Sequence, residues 1–326
     1  MLRENEPEAT VVILTKNAGE DIRDCLSAVF AQKVDFPFEV IVIDSGSTDG
    51  TLDIVRKYPT RLIQIKPEEF NHGDTRNLGA GLARGKYIAF LAQDAIPCDE
   101  NWLGALVANF MMDEEVAGAF SRQIPKPDCN ILTKRALDNW VTGGKSRVVK
   151  SIPAKEEYAK LSPMEKYLLA AFDDVSSCIR KGIWERFRFS RLAFGEDIDW
   201  AKRVLEAGYK IVYEPESRVY HSHNRSVLYE FKRTYIDHQN LHRLFKLELI
   251  PTLRIALLCV VRGIGDYWRY VLQSDLKFSE KAQLILRVPF LTFAQVFGQY
   301  LGARSERVIR EHPWFFKLDK AIKRGV

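Results

Sequence analysis

Three apolar, largely β-branched runs, Val11–Thr15, Phe38–Ile43 and Tyr87–Leu91, are each followed by a loop and a segment with helical apolar spacing. Strands that are apolar on both faces belong in a parallel sheet, and strand–helix alternation puts helices on both faces of it. The spacing predicts a helix from Asp21 to about Gln32, with Ile22, Leu26, Val29 and Phe30 on one face. Further helices are expected over 51–58, 74–84, 100–112 and 197–207, and further strands over 61–65, Val116–Ile124 and Ile211–Tyr213. Gly85 is expected to close the helix over 74–84 from the C′ position. Residues 125–165 carry Pro127, Pro153, Pro163 and the pair Gly143-Gly144, and read as loops with one or two helices near the mouth of a site. From Val227 onward only helical spacing is found.

The expected architecture is therefore α/β over 1–226, with a mostly parallel central sheet and helices on both faces, followed by an α-helical region over 227–326. A chain of 326 residues suits one large α/β domain with an appendage. An apolar content of 46% with 28% charged residues excludes disorder and collagen-like repeats.

Charge divides the chain at the same place. Residues 1–226 hold 31 Lys and Arg against 34 Asp and Glu, whereas 227–326 hold 17 against 9, a local net charge of +8. That region interleaves cations with aromatics: Phe231, Lys232, Arg233, Tyr235; Tyr267, Trp268, Arg269, Tyr270; Trp314, Phe315, Phe316, Lys317. Amphipathic helices of this kind lie in a membrane interface, so an anionic membrane surface is an expected partner. The alternative is a helical subdomain that packs on the body or forms a homodimer. No nucleic-acid-binding motif accompanies the charge, and nucleic acid is not expected.

The start of the chain is acidic and lacks the basic segment and apolar core of a secretory signal. Five scattered cysteines without a CxxC pair favour free thiols in a reducing compartment. The longest clean apolar run, Ile255–Val261, is far short of the roughly 20 residues that span a bilayer. The expected location is cytoplasmic, peripheral on the cytosolic face of a membrane if the tail docks there.

Ligands in open α/β sheets sit beyond the carboxyl ends of the strands. Asp44 and Asp94 fall at two such ends, and together they point to a shared ligand rather than to two independent turn caps. The segment Ser45-Gly46-Ser47-Thr48-Asp49-Gly50 after the first acid is small and rich in donors, which suits a nucleotide or phosphate. Neither GxxxxGK[ST] nor GxGxxG occurs where a phosphate loop would need it. His221 and His223 share one face if their segment is extended. His238 and His242 lie four apart in HQNLH, which lacks the glutamate of a zinc motif, and read as a solvated helix face.

In order, Val11–Asn17, Val40–Thr51, Lys86–Asp94 and Gly195-Glu196-Asp197 resemble glycosyltransferase family 2, of the GT-A (Rossmann-like) fold. Within it, Phe70–Ala80 (FNHGDTRNLGA), Gln93–Pro97, Ser176–Arg180 and Tyr220–His223 are similar to the rhamnosyltransferase-like subgroup. The resemblance covers residues 10–226. It implies a nucleotide-sugar donor, with Thr15 and Asn17 lining the base pocket and Asp44 on the base or ribose. Ser45, Gln93 and Arg76 join the donor site, Arg76 facing the diphosphate. It also implies Mg2+ or Mn2+ on the donor diphosphate. The family's DxD motif reads Ala92-Gln93-Asp94 here, so Asp94 stands as the carboxylate ligand and His221 as a further metal ligand. Asp197 is the implied base on the acceptor hydroxyl, with Glu196 orienting it. Asn71, His72 and Asp74 would touch the sugar, and Arg122 and Gln123 would face the acceptor.

The processive QxxRW motif is missing, so one sugar is expected per encounter. The expected reaction is inverting transfer of L-rhamnose from dTDP-rhamnose onto a glycan or lipid-linked acceptor in cell-surface polysaccharide synthesis. Two alternatives stay open: the same scaffold using a UDP-hexose, and a non-catalytic glycan-binding protein whose DxD site has decayed.

Overall fold

The computed structural model describes residues 6–192 and 194–325; Met1–Asn5, part of the acidic start, lie outside the described residues. The chain forms two compact units. The first holds Met1–Cys129, Thr133–Leu161 and Leu168–Ser222, and the second Asn130–Leu132, Ser162–Tyr167 and His223–Val326.

The first unit runs β1 (Ala9–Thr15), α1 (Asp21–Phe30), β2 (Phe38–Asp44), α2 (Thr51–Val55), β3 (Arg61–Gln64), α3 (His72–Leu82), β4 (Tyr87–Ala92), β5 (Ile96–Pro97), α4 (Trp102–Met112) and β6 (Val116–Ile124). The chain continues through α5 (Ile131–Asp138), β7 (Val148–Lys150), α6 (Lys155–Lys160) and α7 (Pro163–Ala170), of which the start of α5 and residues 163–167 of α7 belong to the second unit, to β8 (Ser176–Arg180), α8 (Lys181–Arg186), α9 (Glu196–Glu206) and β9 (Lys210–Tyr220). The sheet order is β3-β2-β1-β4-β8-β6-β9-β5, with β7 paired to β9. β1, β2, β3 and β4 are mutually parallel, as the alternation requires. β8 is antiparallel to both of its neighbours, β4 and β6.

Alternation along β1 shows both faces covered. Val11 and Ile13 join the core formed with Ile22, Leu26 and Val29 of α1 and Leu103, Leu106 and Phe110 of α4. Val12 points the other way, where α3 lies so close that a Cβ on Gly79 would fall 2.4 Å from Val12 Cγ1. On that face Trp200 of α9 is fully buried beside Phe172 and Phe189. Trp102 is likewise fully buried, its indole donating to Ser176 Oγ at 2.8 Å, so both indoles belong to the core.

Several boundaries differ from the sequence expectation. α3 begins at His72, because the Asn71 side chain accepts from Asp74 N and caps it. Gly85 does not close α3. It has an ordinary φ and lies against the backbone of Ala9, where a Cβ would meet the Ala9 carbonyl carbon at 2.5 Å. β9 extends well past the expected Tyr213, and its pairing with β6 jumps from Ser121–Glu214 to Arg122–Arg218. That bulge lets β9 carry on to Tyr220 and His221.

The second unit is helical among its described residues: α10 (Val227–Phe245), α11 (Leu253–Gln273), α12 (Phe278–Gly302), α13 (Ser305–Glu311) and α14 (Phe315–Lys323). α12 crosses α10 so tightly that a Cβ on Gly302 would meet Tyr235 O at 2.2 Å. Val271, Val288 and Leu291 pack between α11 and α12. His238 is buried in this unit, not solvated, and burial pushes its imidazole down to about 4. α12 is also the one helix among the described residues that is long and apolar enough, by length and composition alone, to cross a membrane. Arg287, Thr292 and Gln295 interrupt its apolar runs, so a search for unbroken runs passes over it.

Candidate active site

The carboxyl ends of β1, β2, β4, β6 and β9 share one edge of the sheet. The antiparallel β8 starts at that same edge, so the two residues before it, Asp173 and Asp174, arrive beside the end of β4.

Around β1 and β2 the chain builds a tight loop. Asp44 is fully buried and its Oδ2 accepts from Gly46 N at 3.0 Å and Ser47 N at 3.1 Å, while the Ser47 hydroxyl donates to Oδ1. Asn17 adopts a left-handed φ of 48°. Its Oδ1 accepts from Thr48 N at 2.8 Å and its own N–H donates to Ser47 Oγ at 2.8 Å. Ser45 is buried, bonded to Thr15 O through its N–H at 3.0 Å. Gln93 ties the end of β4 back to β1, accepting from Thr15 Oγ1 at 2.9 Å and Lys16 N at 2.8 Å. Thr15, Asp44 and Ser45 are thus engaged in shaping the loop, and Asn17, Gln93 and Asp94 are its more accessible groups.

Ala92, at the first position of the DxD motif, is the last residue of β4 and packs at the border of the hydrophobic core. Asp94 faces His221, whose Nε2 lies 3.8 Å from Asp94 Oδ1. His223 follows two residues along the chain, and the three residues offer ligand atoms that all lie within 4.8 Å of one another. One carboxylate and two imidazoles at this spacing suit a divalent cation.

Arg76 does not turn to a solvent-facing diphosphate position. It is nearly buried, its Nη1 paired with Glu196 and its Nε 3.0 Å from Asp174 Oδ2 in an ion pair without hydrogen-bond alignment. Gly195, at a φ of 78°, makes the turn into α9, so Glu196 and Asp197 enter in the first helical turn. Asp197 Oδ1 accepts from Ile198 N at 2.8 Å and Oδ2 from Asp174 N at 3.4 Å. Asp173, Asp174, Glu196 and Asp197 form one acidic cluster around a single guanidinium. Burial, then the charges of Glu196, Asp174 and Asp173, hold the Asp197 carboxyl well above its usual range. Burial also pushes Asp174 up to about 6, with Arg76 opposing.

Asp199 accepts from Ser190 Oγ at 2.6 Å and pairs with Arg203 at 2.9 Å. Asn71 and Asn77 hold the segment before α9, donating to Leu192 O at 2.7 Å and Phe189 O at 2.8 Å. Asp74 pairs with Arg191 at 3.0 Å. Gln123 is buried between Asp173 and His221. Sequence reasoning missed Asp173 and Asp174. The available signal was a pair of acids directly before the short run Ser176–Arg180.

A carboxyl whose folded pKa is raised favours the fold below its unfolded value, and that advantage is lost as pH rises through the folded value. Unfolding of wild type and Asp174→Asn should therefore diverge between about pH 4 and 6, wild type losing on the order of 1–3 kcal/mol relative to the variant. Parallel stability curves over that window would contradict the assignment.

Residues 10–176 match the family model for glycosyl transferase family 2. The chain is 34% identical over 318 residues to the O-antigen chain rhamnosyltransferase RfbN of Salmonella typhimurium, covering 96% of this chain and 95% of that protein. It is 34% identical over 235 residues to the O-antigen chain rhamnosyltransferase WbaN of Salmonella anatum, covering 71% of each. Among solved structures, the mannosyltransferase PcManGT from Pyrobaculum calidifontis, in complex with GDP-Man and Mn2+, superposes with a TM-score of 0.59 at 18% identity. That match covers 95% of this chain and 89% of the other. Staphylococcus aureus TarS 1–349 gives 0.52 at 17% identity, covering 95% and 78%. The motifs at the strand ends, the GT-A fold and these relatives agree: the chain belongs to glycosyltransferase family 2.

Proposed function

We propose that this glycosyltransferase moves L-rhamnose from dTDP-rhamnose, with inversion and one sugar at a time, onto a glycan or lipid-linked acceptor of a cell-surface polysaccharide. The observation that carries the reading is a row of polar side chains along one edge of the sheet, joined by hydrogen bonds from His221 through Gln123 to Asp173 and from Asp174 to Asp197. Asp94 and His221 sit at one end of it, Gln123 and Asp173 in the middle, and Asp174 and Asp197 at the other. A cation-ready group at one end and a carboxylate with a raised pKa at the other suit sugar transfer, in which one side would neutralise the leaving diphosphate and the other would take the acceptor proton. The donor sugar is supported by the two rhamnosyltransferase relatives.

In this reading Asp94, His221 and His223 hold the metal, which supplies charge neutralisation on the diphosphate. Two imidazoles favour Mn2+ over the oxygen-seeking Mg2+. Asn17 and the Asp44-organised loop receive the nucleoside. Asp197, half-buried at the start of α9, is the base. Glu196, fixed by Arg76, orients it.

Release of nucleoside diphosphate from a donor panel with Mn2+ or Mg2+ tests the donor. Turnover is expected with dTDP-rhamnose and faster with Mn2+, and turnover of UDP-hexoses but not dTDP-rhamnose would overturn the donor. Asp197→Asn should cut kcat by roughly 10^2–10^4-fold with donor affinity unchanged. A variant that retains full turnover excludes Asp197 as the base.

The helical unit is proposed to dock on the anionic cytosolic face of a membrane, where a lipid-linked acceptor resides. Leu253, Leu257, Val261, Trp268 and Leu272 form one exposed stripe along α11, and Phe278, Leu286, Phe290 and Phe293 another along α12. Arg254, Arg262, Arg269 and Lys277 lie on the same two helices or between them, each worth about 1 kcal/mol near an anionic leaflet. Flotation with anionic vesicles should be strong for wild type at low salt and lost in Val261→Glu/Leu272→Glu/Phe290→Glu. Equal flotation of the two rejects docking through this face.

A further inference from the structure

We propose that Gln123 is a positioning residue that locks His221 in one tautomer, so that Nε2 presents its lone pair towards Asp94 and the cation. The inference rests on the metal reading above and adds a residue to it. Asp173 sets the direction of the chain. Its Oδ1 accepts from Val175 N at 2.9 Å and its Oδ2 from Gln123 Nε2 at 2.7 Å, so both oxygens act as acceptors, as a carboxylate requires.

The opposite orientation of the Gln123 amide would press its carbonyl oxygen against that carboxylate. With the amide nitrogen on Asp173, Gln123 Oε1 faces His221 Nδ1 at 2.9 Å. An amide oxygen only accepts, so Nδ1 must carry the hydrogen, and in the neutral ring Nε2 is the unprotonated nitrogen. That atom is the one 3.8 Å from Asp94 Oδ1, a gap too long for a hydrogen bond.

Backbone pairing fixes both ends of the relay. Gln123 N donates to Thr142 O at 2.9 Å and His221 N to Ile124 O at 2.9 Å. Both side chains are buried, Gln123 at 6% exposure and His221 at 8%, so water does not compete freely for either bond. A carboxylate that polarises a histidine through an intervening group raises its strength as a ligand, and losing such a partner typically costs about 10–100-fold in metal affinity.

The test uses the full chain and Mn2+ alone. Long-range 1H–15N correlation on the metal-free protein reports the tautomer, with the His221 signals assigned by their loss in His221→Asn. Wild type should show Nδ1–H, and Gln123→Leu a mixture with Nε2–H, while calorimetry shows Mn2+ binding weakened by about 10–100-fold.

Gln123→Glu sets two carboxylates against each other and should also bind poorly. Adding Asp173→Asn to it swaps amide and carboxylate, restores a donor for residue 123 and an acceptor for Nδ1, and should recover Mn2+ binding to within a few-fold. Recovery in the swapped pair also guards against simple misfolding of the single variants. Nε2–H in wild type, or unchanged Mn2+ affinity in Gln123→Leu, overturns the inference. Nδ1–H in a wild type that binds no Mn2+ overturns the metal reading and leaves the tautomer lock standing.

Discussion

Among the described residues, the guanidinium of Arg76 is the cation placed against four carboxylates, and the geometry of the proposed transfer site depends on it. It reaches Glu196 and Asp174 directly, from a side chain that is itself nearly buried. Charges withdrawn from water are costly unless paired, and removing one partner leaves the rest uncompensated. Here the pairing is incomplete by design of the sequence: one positive charge serves two acids closely and two more at a distance. The shortfall appears at Asp197, whose carboxyl is held well above its usual range. A raised pKa suits the role of base proposed for Asp197, and Asp197 and Asp173 are half-buried while Asp174 and Glu196 are buried.

That cluster exists only because one strand runs backwards. In a wholly parallel sheet the residues before a strand lie at the amino edge, far from a ligand. β8 enters from the carboxyl edge, and its register, Leu91 opposite Ser176, delivers Asp173 and Asp174 to the end of β4. The buried hydroxyl of Ser121 lies 2.7 Å from those of both Ser176 and Ser217 and so joins β6 to β8 and β9. Past the irregularity in its pairing with β6, β9 continues to Tyr220, and His221 emerges beside Gln123.

The legible parts of this fold are the local ones. Val11–Thr15 and Phe38–Asp44 announce buried parallel strands by composition, and each ends on a residue whose place at the carboxyl edge follows from the alternation alone. Asp44 and Asp94 could therefore be placed together from sequence. β8 could not, since Ser176-Ser177-Cys178-Ile179-Arg180 has little β-branched character and its pairing partners lie more than fifty residues away. The same limit applies to Arg76. A helix position near a donor loop suits phosphate, and only the tertiary approach of α9 to α3 turns the side chain towards acids. His238 failed for a related reason, because four-residue spacing marks a face but not whether another helix covers it.

If Asp94 and the histidines hold the cation as proposed, charge balance gives a physical reason for Ala92 in the DxD motif. A divalent ion held by two carboxylates is neutral before the donor arrives, whereas one held by Asp94 and neutral imidazoles keeps a net charge of +1 for a dianionic diphosphate. In the first unit, which carries more acids than bases, another carboxylate at position 92 would also stand at the border of the hydrophobic core, where Ala92 now packs. Histidines cost no charge, but they introduce a requirement that carboxylates lack: each must offer the correct nitrogen. In the proposed site the buried amide of Gln123 would meet that requirement for His221, and the missing acid at one strand end would be matched by a hydrogen-bonded relay from Asp173 at another.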